Sequence, residues 1–140
     1  MKVIAFEPEH LKRMTLQQRQ HLEAGLSDYD FSILQSQGDS FTVIDGDEIL
    51  ACAGTIKLTH GRAFAWSYIS ENIGARLVSF TRATRRYLDV CGHRRIEMDV
   101  DSDFPQAHRW AEMLGFTMEC PRRKSLYVDG QDCALYARVM

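Results

Sequence analysis

No apolar run in this 140-residue chain approaches the ~20 residues that a membrane-spanning helix needs. The opening MKVIAF is too short for the apolar core of a signal peptide, so the expectation is a soluble, cytoplasmic protein. Cysteine is sparse and scattered. Cys52, Cys91, Cys120 and Cys133 form no C-x-x-C pair and have no histidine nearby at zinc-ligand spacing, which speaks against a disulfide or metal framework. They read as small buried hydrophobes in a reducing compartment. Charge of one sign is also lacking: the net charge is -2, which gives no electrostatic case for nucleic acid or an acidic membrane. There is no internal repeat, linker or low-complexity tract, and the expectation is one domain spanning 1–140.

What the chain does have is 45% hydrophobic and 26% charged residues, enough apolar material for a sizeable core. Met1 to Phe6 reads as a strand stopped at Glu7-Pro8. A helix is expected next, carrying His10, Leu11 and Met14 and continuing more weakly through Leu16, Gln20, Leu22 and Ala24 to Gly25. A second short helix, capped by Asp28 or Asp30, would carry Phe31, Ile33 and Leu34 and end at Gly38. Ser40 to Ile44 alternates and runs into Asp45-Gly46, a tight-turn pair, so a hairpin with Glu48 to Leu58 follows. The centre of that second arm, Ile49 to Gly54, is apolar on both faces, as in a strand covered on both sides. His60-Gly61 turns the chain into Arg62 to Ile69, completing a three-strand meander.

From about Asn72 the apolar period changes from two to 3.6. Leu77, Phe80, Thr84, Leu88 and Cys91 make one stripe of a long helix capped by Gly92; Arg76, Arg82, Arg85 and Arg86 make a basic side that reads as solvated, with attraction of a phosphate as the functional alternative. Arg94 to Val100 alternates as a strand. Asp101 or Asp103 offers a cap for a helix over Gln106 to Leu114, with Pro105 in its first turn and Ala107, Trp110, Ala111 and Leu114 on one face. Gly115 ends it. Phe116 to Cys120 is another strand, Pro121 to Lys124 a basic connection, and Ser125 to Met140 strand material broken at Asp129-Gly130. Helices between the later strands imply crossovers over a mixed sheet, an α/β domain. The acidic run Glu97, Asp99, Asp101 and Asp103 suits a strand edge and a helix start; a rim for a cationic amine is the functional alternative, and the Gly turn of a metal loop is lacking.

The order of elements, the run Ala107 to Phe116 with its Leu-Gly-Phe ending, the Asp45-Gly46 hairpin and the stretch Asn72 to Leu77 together resemble the GNAT superfamily of N-acetyltransferases. The resemblance implies a mixed, mostly antiparallel twisted sheet of about seven strands with about four helices on its two faces. It also implies acetyl-CoA as cofactor and an amine as acceptor. Members of the superfamily lay the pantetheine arm along the fourth strand, here Trp66 to Ser70 with Tyr68, Ile69 and Ser70 at its end. They hold the pyrophosphate on amides at the start of the following helix, here Asn72, Ile73, Gly74, Ala75 and Arg76. Clustered N–H groups and the positive end of a helix favour phosphate. The superfamily pattern of a basic or amide residue followed by two small ones would fall on Ile69, Asn72 and Gly74. Of these Gly74 agrees, and Asn72 is expected to take left-handed backbone in place of glycine.

Many relatives protonate the departing thiolate with a tyrosine, at the position that Ala111 holds in this sequence. His108 is the nearest titratable neighbour, and Glu97, with Glu71 and Asp99, stands in for a base absent from the fourth strand. The resemblance thus implies an N-acyltransferase working by direct attack of an amine. Its alternative is a catalytically silent protein like the short GNAT-like proteins of bacteriophages, acting in virion assembly with a virion-protein partner, or a CoA-binding module. A homodimer through the late strands is the other partner expectation.

Overall fold

A computed structural model describes residues 1–15 and 31–140. Its strands are β1 (Lys2–Ala5), β2 (Ser40–Asp45), β3 (Glu48–Thr59), β4 (Arg62–Ile69), β5 (Arg95–Asp101), β6 (Thr117–Arg123) and β7 (Cys133–Val139). They form one seven-stranded sheet in the order β1-β2-β3-β4-β5-β7-β6. β4 and β5 pair in parallel, while β1–β2, β2–β3, β5–β7 and β6–β7 are antiparallel. Among the described residues the α-helices are α1 (Ser32–Ser36), α2 (Leu77–Val90) and α3 (Pro105–Met113), with 3-10 turns at Pro8–Arg13 and Gly74–Arg76. The mixed α/β architecture of seven strands is the one expected, and no described helix is long and apolar enough to cross a membrane. The chain divides into two compact units, Met1–Lys57 with Ala65–Leu77, and Leu58–Phe64 with Val78–Met140.

In the first unit, Phe6, Leu11, Met14, Leu34, Ile49, Cys52 and Tyr68 form the core, with Phe31, Ile44, Ile56 and Trp66 packed against it. Ile49 to Thr55 is buried without interruption, as the two-sided apolar pattern of β3 requires. The hairpin turn is centred one residue later than expected: Asp45 pairs with Glu48, leaving Gly46 and Asp47 as the loop, with Gly46 at φ +60. A positive φ at the first central position is why glycine is needed there.

The helix expected from His10 onward is instead a 3-10 turn that stops at Arg13, with Met14 already extended at φ -108, ψ 138. Two contacts divert it. His10 Nδ1 accepts the Glu7 N–H at 3.2 Å, tightening the start around Pro8, and Thr15 C=O is taken by the Glu71 N–H at 2.9 Å. The expected positions from Leu16 to Gly25, and the caps Asp28 and Asp30, lie outside the described residues. Helix α1 has Phe31 as its N-cap, without a side-chain capping bond.

In the second unit, α2 buries Phe80, Thr81, Thr84 and Leu88 at helical spacing, while Leu77 and Cys91 at the ends of the expected stripe are half-buried. Thr84 spends its hydroxyl on the Phe80 carbonyl one turn back, at 2.8 Å, so it can be buried. Phe80 stacks on Trp110 of α3 at 5.9 Å, and the Trp110 indole N–H donates to Thr81 Oγ1 at 2.9 Å. The expected aspartate cap of α3 is absent. Phe104 is the N-cap, because the Asp101 carboxylate instead accepts the Asp103 N–H at 2.9 Å in a local turn.

Pro121 to Arg123 continues β6 rather than connecting strands, with register shifts on either side of Cys120. A proline is tolerated there because β6 is the last strand of the sheet and the shifts spare it a ladder bond. β7 then inserts between β5 and β6, Tyr136 lying opposite both Met98 and Met118.

Candidate functional site

The cofactor candidates of the sequence lie together in the first unit. At the end of β4, Tyr68, Ile69 and Ser70 are all buried. Ser70 organises the loop that follows. Its N–H donates to Leu50 C=O at 2.8 Å, its hydroxyl accepts the Asn72 N–H at 3.1 Å, and its carbonyl accepts the Ile73 N–H at 3.2 Å. The serine hydroxyl holds Asn72 in a tight turn with negative φ. The expected left-handed asparagine is therefore not found, since Ser125 alone among the described non-glycine residues has positive φ. Ile69 packs inward, so the position where a basic side chain would serve a phosphate is apolar core.

Ile73 is likewise buried and anchors the loop, and Gly74 opens the helical stretch at φ +55. A Cβ added to Gly74 would meet nothing within 4 Å, so its backbone faces open space. Gly74 and Ala75 start the helical stretch, where N–H groups have no acceptor one turn back inside the helix. Arg76 is drawn away from that opening. It forms ion pairs with Asp45 and Glu48 at 2.8 and 2.9 Å and donates to the Asn72 and Ile73 carbonyls at 2.8 and 3.2 Å. Bonding to Arg76 holds the Asp45 carboxyl below its ordinary value, and Asp45 in turn raises Arg76. The loop thus lacks the basic side chain of the superfamily pattern at Ile69.

The catalytic candidates Glu97 and His108 lie in the second unit. Glu97 on β5 is buried and has both oxygens engaged. Arg62 donates to Oε2 at 2.6 Å and to Oε1 at 2.9 Å, and Arg95 adds a bond to Oε2 at 2.8 Å. These bonds, Arg62's first, outweigh burial and hold the carboxyl at about 2, so it is a charged structural anchor poorly matched to taking a proton near neutrality. Arg95 also reaches Glu119, extending the chain of charges to β6. Two more of the acidic run are paired in the same way, Asp99 with Arg123 at 2.6 Å and Asp103 with Arg122, while Asp101 accepts the Asp103 N–H. An alternating charge ladder stands where an acidic rim was the alternative. Glu71, the remaining base candidate, is exposed on the loop after β4.

His108 is half-buried, with both ring nitrogens occupied. Nε2 lies 2.9 Å from the Ser102 carbonyl, which only accepts, so Nε2 carries the proton and Nδ1 accepts from the Tyr136 hydroxyl at 2.7 Å. Ala111 is fully buried beside Trp110, and its carbonyl accepts the Phe116 N–H at 3.0 Å. That position is packed interior.

The reading of the sequence missed Tyr136, the Arg62–Glu97–Arg95 network and Ser70, because each matters through a partner 20 to 35 residues away or through a turn. The charged residue at every second position of β5 was a visible signal for the network. Glu7, Glu9 and His10 also approach within 4.8 Å, but His10 is buried against Thr42, Nδ1 to Oγ1 2.8 Å, and holds the chain start together.

No protein-family model matches the chain, and no curated protein sequence matches it. Solved structures do. A putative phosphinothricin N-acetyltransferase superposes with a TM-score of 0.75 at 13% identity, covering 99% of this chain and 98% of that one. The ribosomal-protein-S18-alanine N-acetyltransferase of Escherichia coli gives 0.70 at 16% identity, over 99% and 92% of the two chains. A spermidine N-acetyltransferase SpeG mutant of Vibrio cholerae gives 0.68 at 16%, over 99% and 95%. At such identities the likeness is one of architecture, and the chain has the fold of the GNAT N-acetyltransferases.

Proposed function

We infer that this chain is a GNAT protein that binds acetyl-CoA and transfers its acetyl group to an amine by direct attack. The observation that carries the reading is Gly74, at positive φ with open space above it, starting a helix after β4 in a chain with this fold. Gly74 and Ala75 would hold the pyrophosphate through their N–H groups, and the backbone of β4 from Trp66 to Ser70 the pantetheine arm. Acetyl-CoA supplies an activated thioester carbonyl when bound. The chain's own part is mainly to bind and orient, because its titratable candidates are committed elsewhere: Glu97 to two arginines, His108 to Tyr136 and Ser102. The reading takes the protein as cytoplasmic and its amine acceptor as unidentified.

Those same commitments, together with the buried Ala111, favour a second reading, a protein that keeps CoA as a ligand without turnover. Its bacteriophage version, with the fold acting in virion assembly, rests on the departure at Ile69 and on Ala111 where a tyrosine is expected. Thiol release from acetyl-CoA, measured against a panel of small amines and peptide N-termini, separates the two. Release above the amine-free rate supports the transferase; binding with no release for any amine supports the silent module.

A further inference from the structure

Arg76 has the place and charge of a phosphate ligand, yet four of its five N–H groups are spent inside the protein. Nε donates to Ile73 C=O at 3.2 Å, Nη2 to Asn72 C=O at 2.8 Å and Glu48 Oε1 at 2.9 Å, and Nη1 to Asp45 Oδ2 at 2.8 Å. Asp45 and Glu48 face each other across the β2–β3 turn, so the guanidinium ties that hairpin end to the loop after β4. In a trans peptide the C=O and the next N–H point in opposite directions. The Ile73 N–H is spent on Ser70 C=O, so the amide this affects is that of Gly74: drawing the Ile73 carbonyl toward Arg76, which also bonds it through its backbone N–H at 3.2 Å, turns the Gly74 N–H away from the guanidinium.

We propose that Arg76 is a positioning residue, which the hairpin carboxylates Asp45 and Glu48 hold in place so that it presents the Gly74 amide to the pyrophosphate of the cofactor. The inference rests on the acetyl-CoA reading given above. It differs from a direct role in the sign of one effect. Two carboxylates beside an anion site repel the anion. If Arg76 were a phosphate ligand restrained by them, their removal would tighten binding; if they brace a positioning residue, their removal loosens it.

Calorimetric titrations with CoA and with S-acetylpantetheine, which lacks the pyrophosphate, test this on the whole chain. Arg76→Ala should weaken CoA binding roughly tenfold, the scale of one lost charge-assisted hydrogen bond. Arg76→Lys should restore little of it, because an ammonium cannot span two carboxylates and two carbonyls at once. Asp45→Asn with Glu48→Gln should weaken CoA about threefold, a fraction of the arginine effect because Arg76 keeps its carbonyl bonds. S-acetylpantetheine affinity should stay unchanged throughout. Tighter or unaltered CoA binding by the double variant, full rescue by lysine, or a parallel fall for S-acetylpantetheine overturns the inference. A wild-type chain that binds S-acetylpantetheine and CoA while the variants match it overturns this inference alone; a wild-type chain that binds neither overturns the acetyl-CoA reading as well.

Discussion

The two residues that the sequence offers for proton transfer are both turned to structural use, and each use has a measurable consequence. Glu97 is ionised more readily in the folded chain than in the unfolded one, its carboxyl lying at about 2 against an ordinary 4.5. The folded state then binds fewer protons, so the stabilisation is full above about pH 4.5 and is lost as pH falls toward 2. Glu97→Gln should cost roughly 1–2 kcal/mol at pH 7, discounted because Arg62 is 42% exposed, and in urea titrations the gap from wild type should narrow steadily as pH falls from 4.5 toward 2. His108→Ala leaves the hydroxyl of Tyr136, a residue 1% exposed, without its acceptor, at a cost of about 1–3 kcal/mol. Adding Tyr136→Phe removes the orphaned group, so the double variant should be more stable than the single one in the same titrations. Neither role was legible beforehand. A sequence gives the residue type and its own element, but Arg62 lies 35 residues from Glu97 and Tyr136 lies 28 from His108. Gly74 was singled out through the superfamily pattern, and its φ of +55 supplies the conformational reason for a glycine there.

At the scale of elements, local chemistry was read well and competition between segments was not. β4 and the β2–β3 hairpin follow from alternation and turn residues that act within a few positions. The turn at Pro8–Arg13 does not, since its end depends on the Glu71 N–H claiming Thr15 C=O. Pro121 misled for a similar reason: it reads as a break unless the strand is known to lie at the sheet edge, a fact of topology. The approach to the hairpin shows how tightly elements can meet. Thr55 N–H donates to Asp39 C=O at 2.8 Å, and an added Cβ on Gly54 would lie 2.2 Å from that same carbonyl oxygen. Backbone on backbone cannot yield as a flexible side chain would, so Gly54→Ala should destabilise by more than about 2 kcal/mol despite being a small change. Gly46→Ala, with nothing within 4 Å but φ +60, should cost only about 1 kcal/mol. Chemical denaturation of the two variants side by side checks the order.

For the molecule as a whole, the order of strands and helices in the chain was enough to anticipate a mixed seven-stranded α/β sheet, because helices between strands force crossovers. The insertion of β7 between β5 and β6 was not readable, since alternation marks strands without saying which pair. The central claim is that this fold retains acetyl-CoA at the loop after β4, and a thermal melt with the cofactor addresses it most directly. A ligand at a hundred times its dissociation constant adds about 2.7 kcal/mol, several degrees in a chain of this size. That shift is expected with acetyl-CoA for the wild type and is expected to be lost in Gly74→Val, whose β-branched side chain is strained at φ +55. No shift for the wild type at millimolar acetyl-CoA, or an equal shift in Gly74→Val, would contradict that claim.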